Sequence, residues 1–375
     1  MSGHQENWTV GCMSGTSVDG VDVAAVATDG TKIQKLGATH YRSFSPKERT
    51  TIMNAFGCWQ GDGPVAAAEA VVEAAHRSAL RDFMPGATLG FHGQTLAHDP
   101  DAGRTHQAGD GDKLAHATGR RVVWDFRSSD MACGGQGAPM ASFFHFALAK
   151  FLGMSNPVAF LNLGGVANVS VVDPTFSAPD EDGALVAFDT GPANAIIDDF
   201  IRSRTGMPCD LNGQYAISGT PDMNVVGEVL DNPWFCRIPP KSLDRNGFSL
   251  ALEKVDEMSV QDGAATLTAC VAAATRRSFS QINQEVGLVL VCGGGRLNPE
   301  LMRRLDQELP ATVVPVEEFG LDGTMIEAQA FAHLAARAIR GLPTSCPGTT
   351  GCGHPVCGGR ISDPPSSGVG NACKD

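Results

Sequence analysis

The sequence predicts an α/β protein in which two related domains flank a central cleft, and three observations carry that prediction. Residues 11–27, GCMSGTSVDGVDVAAVA, enter a Gly/Ser/Thr/Asp turn from an apolar run and leave it as alternating Val, Asp, Val and Ala, the pattern of a β-hairpin with a polar tip. Residues 158–173, VAFLNLGGVANVSVVD, repeat that plan around a Gly164-Gly165 turn that carries Asn162 and Asn168. Each hairpin opens about half of the 375-residue chain, a length sufficient for two domains that each bury a core.

The residues at the tips point to phosphate. Gly15 and Gly20 permit backbone conformations closed to other residues. Ser14, Thr16 and Ser17 offer hydroxyls to an anion, and Asp19 and Asp22 are suited to a hydrated cation. Taken alone, such a turn also reads as an ordinary hairpin; its repetition is what favours a metal-bound polyphosphate. No G-x-x-x-x-G-K-[ST] pattern occurs, so a nucleotide site here is not a P-loop. Two glycine hairpins facing each other across a cleft form the phosphate grip of the actin, hexokinase and heat-shock ATPase superfamily. The expected fold is therefore a duplicated actin-like (ribonuclease H-like) ATPase fold, with an N-terminal domain at 8–145, a C-terminal domain at 146–362 and a disordered tail at 363–375. That analogy names no substrate.

Composition narrows the partners. A hydrophobic content of 42% with 18% charged residues describes a soluble globular protein, and a formal net charge of −13 argues against nucleic acid or an anionic membrane surface. The opening MSGHQENWTV lacks a basic region followed by an apolar core, and no apolar run approaches the roughly 18 residues of a membrane span. A cytoplasmic protein acting on a small molecule is expected, with the choice between monomer and homodimer open. The eleven cysteines, several inside apolar strands, read as reduced thiols rather than as a disulfide framework.

Along the chain, residues 64–84 read as an Ala-rich helix opened by Pro64, with His76 expected at its surface. In ATLGFHGQTLAHDP a short strand ending at Phe91 delivers His92, Gln94 and Thr95 to the carboxyl edge of a sheet, where open α/β sheets bind ligands. This is a candidate sugar site. THQAGDGDKLA places Gln107 and Asp110 ahead of a helix. RRVVWDFRSSDMACGGQGAP then carries a strand into Asp125, Arg127 and Asp130 and the loop Gly134-Gly135-Gln136-Gly137. That stretch reads either as an irregular surface loop or as polar groups converging to orient a small molecule, with the Arg127 guanidinium suited to a carboxylate.

In LVAFDTGPANAIIDDFI, Asp189 is expected at a strand end, Thr190 and Gly191 at a turn, and Pro192 in the first turn of a helix. Asp189 reads equally as a helix cap and as a general base. Lys241, Ser242 and Arg245 of DNPWFCRIPPKSLDRNGF are substrate-contact candidates. VGLVLVCGGGRLNPELMRRL is a buried strand, a Gly293-Gly294-Gly295 turn and a helix started near Asn298-Pro299, assigned to adenosine because three glycines admit a flat ring or ribose. The last helix, TMIEAQAFAHLAARAIRG, turns Glu327 toward the cleft, where it would orient sugar hydroxyls. Cys346, Cys352, Cys357 and Cys373 with His354 lack a C-x₂₋₄-C pair and so do not read as a zinc site.

The stretches MSGTSVDGVD, FHGQTLAHDP, QAGDGDKLA, WDFRSSDMACGGQGAP, NLGGVANVS, FDTGPAN, KSLDRNGF, CGGGRLNP and IEAQAFAHLA, in that order, resemble the anhydro-N-acetylmuramic acid kinase family from about residue 8 to residue 362. Each is weak alone; the series is specific. The resemblance implies the two-domain actin-like kinase fold. It also implies a reaction in which ATP and water open the 1,6-anhydro ring while O6 is phosphorylated, giving N-acetylmuramic acid 6-phosphate in cell-wall sugar recycling. Carried over motif by motif, Gly15, Thr16, Ser17, Val18, Asp19, Gly20, Val21 and Asp22 match the family's ATP-binding turn. Asp189 of FDTGP matches its catalytic carboxylate, and Glu327 an acidic sugar-contact position. Gly164, Gly165 and Asn168 complete the phosphate grip, and Mg²⁺ arrives with ATP, touching Asp19 or Asp22 through water. The chain departs from the pattern at Leu243-Asp244, where the family more often has Thr-Gly, and at the cysteine-rich end TTGCGHPVCGGRIS. Three rival functions stay open at this level: a levoglucosan kinase of the same fold, a nucleotide-dependent chaperone or filament protein, and an inactive sugar-binding protein.

Overall fold

The computed structural model describes residues 7–243 and 248–365. Its strands are β1 (Trp8–Ser14), β2 (Gly20–Thr28), β3 (Ile33–Ser43), β4 (Thr88–Asp99), β5 (Arg104–Ala108), β6 (Val122–Trp124), β7 (Val158–Leu163), β8 (Val166–Val172), β9 (Leu185–Pro192), β10 (Leu288–Cys292), β11 (Thr312–Pro315) and β12 (Arg360–Ser362). They form a seven-stranded sheet ordered β12-β6-β4-β1-β2-β3, with β5 on β4, and a five-stranded sheet ordered β11-β10-β7-β8-β9. Each sheet begins with an antiparallel three-strand meander and extends it by two parallel neighbours. The orders β3-β2-β1-β4-β6 and β9-β8-β7-β10-β11 therefore correspond strand for strand, which is the duplication expected of an actin-like ATPase.

Helices separate and cover the two sheets. Val10, Val23 and Leu89 bury one face of the first sheet against the helix Val65–Leu80, while Leu161, Val169 and Phe188 bury the far face of the second against Asn194–Thr205 and Val260–Phe279. Between the sheets lie the helices Ser142–Phe151 and Ile326–Ile339, packed through Phe143, Phe144, Phe160, Phe331 and Leu334. Two glycines bring the second of these helices onto the first sheet. A Cβ on Gly11 would stand 1.8 Å from the Ala328 carbonyl oxygen, and one on Gly90 would stand 2.1 Å from that of Phe331. Residues 326–362 thus close back on the first sheet, and β12 pairs with β6, although their sequence position groups them with the second half.

Several local expectations are corrected. His76 is fully buried, its Nδ1 2.8 Å from the Val72 carbonyl and its ring edge-on to Phe91. Strand β4 does not end at Phe91: pairing with β6 stops there, and the strand continues to Asp99 as a ribbon with β5. Thr190 and Gly191, expected at a turn, and Pro192, expected in the first turn of a helix, complete β9, so Asp189 stands within the strand rather than at its end. Of the tail, residues 366–375 lie outside the described residues, while Asp363 pairs with Arg121 at 2.6 Å. Among the described residues no helix is long and apolar enough to cross a membrane.

Candidate active site

The two hairpin tips meet. In the first, the Val18 N–H donates to the Gly15 carbonyl at 3.1 Å and Ser17 Oγ to Asp19 Oδ1 at 2.9 Å. Val18 takes φ 52°, a conformation that costs a β-branched residue of order 1–3 kcal/mol, and its fully buried side chain holds it there. Across the gap, a Cβ on Gly165 would come within 2.7 Å of Thr16 Oγ1.

The glycines of the site fall into two groups. A Cβ on Gly15, Gly164 or Gly294 would meet nothing closer than 3.5 Å, so an anion or a ring can approach those backbones. Gly20 is required instead by the Tyr41 ring and the Arg42 carbonyl, Gly293 by Asn162 and Leu163, and Gly295 by the Leu163 side chain. Val21 is a core residue, leaving only its backbone for a ligand. Asn298 uses its side-chain oxygen to cap the helix Pro299–Glu308, accepting the Glu300 and Leu301 N–H groups at 3.1 and 3.2 Å.

Beside the first tip, Asp22 Oδ1 is buried without a hydrogen-bond partner. Burial, with the neighbouring charges of Asp19, Glu327 and Asp322, raises its pKa to about 7. An acidic oxygen unmatched by the protein beside the hairpin tips fits a hydrated divalent cation. Among the described residues no group of three or more His, Cys, Asp or Glu is placed to hold a metal.

The first half supplies a tethered arginine. Arg127 donates to His92 Nε2 from Nε and Nη2 at 3.3 and 3.0 Å, and from Nη1 to the Gly137 carbonyl. His92 Nδ1 in turn lies 3.1 Å from the Gly93 carbonyl, and its ring stacks on Phe331 at 4.5 Å. An imidazole that accepts at Nε2 and donates at Nδ1 is neutral, as burial and the nearby Arg127 require by pushing its pKa well down. Of five guanidinium donors, one N–H on each terminal nitrogen remains for a ligand. Gln94 is fully buried, with Nε2 on the Thr95 carbonyl at 3.3 Å and Oε1 without a partner; Thr95 lies beside Gln107 on the β4–β5 ribbon. Asp130 is differently employed. Its carboxylate accepts the Gly137 N–H and the Ser345 and Thr350 hydroxyls, at 2.8, 2.5 and 2.6 Å, so it fastens the 134–137 loop to the C-terminal segment.

The second half supplies the carboxylates. Register pairs Cys292 with Asn162, Asn162 with Asn168 and Asn168 with Asp189, a row across four strands on the face turned toward the first half. Asp189 caps no helix, because the helix Asn194–Thr205 starts behind Ala193 without a side-chain cap. Its Oδ2 instead accepts the Leu243 N–H at 2.7 Å, and its own N–H donates to the Lys241 carbonyl at 2.9 Å. Burial raises the Asp189 pKa to about 7 against the opposing pull of the Leu243 N–H, Arg127 and Lys241. Glu327 is likewise raised by burial and pulled down by Arg127 and by a hydrogen bond from Asn162. Lys241 is buried over the Trp234 ring at 4.3 Å with Nζ 2.9 Å from Gln281 Oε1, and Ser242 Oγ donates to Gln136 Oε1 at 3.0 Å. Arg245 lies outside the described residues. Sequence reasoning gave no role to Asn162 or to the Leu243 amide. A lone Asn in the apolar strand VAFLNL was the available signal for the first; a backbone donor leaves none.

A duplicated actin-like fold whose hairpin tips meet over a cleft, with buried carboxylates facing an arginine across it, defines a phosphotransferase of the sugar-kinase class. The comparisons agree with that class and refine it. The family model described as anhydro-N-acetylmuramic acid kinase matches residues 7–363, and the chain belongs to that family. It is 53% identical to the anhydro-N-acetylmuramic acid kinase of Roseobacter denitrificans over 355 residues, covering 95% of this chain and 94% of the relative. It is also 53% identical to that of Cereibacter sphaeroides over 357 residues, covering 95% and 96%. A solved ROK family glucokinase from Streptomyces griseus, in complex with glucose and AMPPNP, covers 88% of this chain and 99% of its own at 13% identity and a TM-score of 0.43. That likeness adds nothing to the topology described above.

Proposed function

We propose that this kinase uses ATP and water to open the 1,6-anhydro ring of anhydro-N-acetylmuramic acid and phosphorylates O6, yielding N-acetylmuramic acid 6-phosphate and ADP. The observation that carries the chemistry is Asp189: a buried carboxylate with a pKa near 7, on the second sheet's row of polar side chains and within the field of Arg127. Such a group accepts a proton near neutral pH, the range in which a general base works best.

Asp189 takes a proton from water attacking the anomeric carbon, and the C1–O6 bond breaks. The released O6 attacks the γ-phosphorus, and the bond to the leaving ADP breaks. Backbone groups at Gly15 and Gly164 hold the phosphates from opposite sides, with the rest of the 15–22 turn, Gly165 and Asn168 shaping the grip. Asp22 and Asp19 would hold Mg²⁺ through water, and the ion would supply charge neutralisation at the phosphates. Adenosine rests on the Gly294 side of the 293–295 turn, with Asn298 shaping that turn through its cap. The remaining Arg127 fork suits the lactyl carboxylate. The neutral His92 imidazole holds the Arg127 cation, Gln94, Thr95 and Glu327 orient hydroxyls, and Asp130 keeps the adjoining loop in place. The need for ATP fits a cytoplasmic enzyme in cell-wall sugar recycling.

The test is ATP consumption with anhydro-N-acetylmuramic acid, with and without Mg²⁺, set against levoglucosan. Turnover on the muramyl sugar alone is expected. Equal turnover on levoglucosan would remove Arg127 from substrate recognition, and no turnover on either would remove the reading.

A further inference from the structure

The 241–243 segment holds Asp189 from both sides, taking its N–H at the Lys241 carbonyl and giving the Leu243 N–H to its carboxylate. Between those two residues, Ser242 sends its hydroxyl the other way, to Gln136 Oε1 at 3.0 Å. Gln136 belongs to the 134–137 loop, which the first half fastens: Gly137 gives its N–H to Asp130 and its carbonyl to Arg127, and the Gln136 N–H donates to the Thr350 carbonyl at 2.7 Å. One side-chain hydrogen bond thus joins the strip that positions the base to the loop that positions the arginine. Ser242 is only 6% exposed, so water does not readily replace its partner.

We propose that Gln136 and Ser242 are positioning residues for the reaction, coupling the aim of the Asp189 carboxylate to the docking of the two halves. The inference rests on Asp189 being the base. In an open cleft the bond is broken and the Ser242 side chain is released while Trp234, Gln281 and the Asp189 N–H keep hold of the strip, so the adjoining Leu243 N–H loses the support that fixes it on the carboxylate. Closing the cleft restores both at once, so the water-activating group is set when the arginine side of the site arrives. Two cationic groups act on Asp189, Arg127 from the first half and Lys241 from the strip itself, and substitutions at Gln136 and Ser242 remove neither charge.

Steady-state kinetics of the full-length enzyme test this with Gln136→Ala, Ser242→Ala, the double variant, Ser242→Thr and Asp189→Asn. Loss of one neutral hydrogen bond predicts a kcat lower by about three- to tenfold in each alanine single variant. The double variant should be no worse than the singles, because the two side chains act as one contact. KM for ATP should be unchanged, and the acid limb of kcat should move to higher pH, since the carboxylate loses a donor. Ser242→Thr, which keeps the hydroxyl, should restore both kcat and the limb. The proposal is overturned if the singles match wild type, if their effects add, or if they lower the melting temperature while leaving the pH profile in place. Asp189→Asn separates the two readings. If it retains turnover, the base assignment falls and this coupling with it; if it is inactive while the other variants behave as wild type, only the coupling falls.

Discussion

The Thr16 hydroxyl of the first hairpin stands so close to Gly165 of the second that a Cβ on the glycine would lie 2.7 Å from Thr16 Oγ1. The spacing between the tips is therefore set by a missing side chain. Gly165→Ala should push the tips apart and raise KM for ATP by about tenfold, equivalent to roughly 1.4 kcal/mol, with little change in melting temperature. Gly20→Ala should do the reverse. Its Cβ would meet the Tyr41 ring at 2.4 Å and the Arg42 carbonyl at 2.6 Å, so the fold and not the nucleotide carries the loss. Calorimetry and nucleotide titration on both variants separate the effects; unchanged ATP binding by Gly165→Ala would end the two-sided grip.

Asp189→Asn should slow turnover by about 10²–10⁴, the usual contribution of a general base, while binding both ligands. Asn still accepts the Leu243 N–H through its carbonyl oxygen, so the strip stays in place.

The same substitution has a stability signature. The folded-state pKa of Asp189 is raised to about 7, above an unfolded value of about 3.9, so the folded state holds the proton more tightly. Native stability should then fall as pH rises from about 4 to about 7, relative to a residue that does not titrate. Asn removes that loss: melting temperatures of wild type and variant should coincide near pH 4 and separate by pH 8, with the variant higher. Parallel curves at all pH values would show that Asp189 is not desolvated.

Arg127→Ala removes a positive charge from among Glu327, Asp189 and Asp130. Without it the protonated form of Asp189 is favoured, so the acid limb of kcat/KM should move to higher pH and KM for the sugar should rise. A shift in KM alone would confine Arg127 to binding.

Gly11→Ala tests the seat of the Ile326–Ile339 helix. Its Cβ would lie 1.8 Å from the Ala328 carbonyl, so the helix must lift, and overpacking of that kind costs about 1–3 kcal/mol or more. Because Glu327 precedes Ala328, sugar affinity should weaken along with the melting temperature. A variant of wild-type stability would contradict the close helix–strand approach.

Both hairpins, and with them the duplicated fold, are legible in the residue order, because strand alternation and a glycine turn are properties of some sixteen contiguous residues. Asn298-Pro299 is equally readable as a helix start, and the expected cap is met by Asn298 accepting the Glu300 N–H. Strand β4 misleads because its pairing partner changes: after Phe91 its neighbour is no longer β6 but β5, and no local feature of HGQT records that exchange.

What the sequence by itself determined is the class of the protein: two glycine hairpins, a carboxylate after an apolar strand, and the order of motifs between them. Which glycines are open to a ligand and which are filled by protein was decided in the tertiary structure, since Gly15 and Gly20 sit in one turn but only Gly20 meets Tyr41. The surroundings of Asp189 were decided there too. In sequence it stands three residues ahead of Pro192 and reads equally as a cap and as a base, whereas the fold brings it the N–H of a residue 54 positions away and buries it within the field of an arginine from the other half. Proton affinity depends on solvent, donors and charges within a few ångströms, and those neighbours are set by chain segments that sequence order keeps far apart.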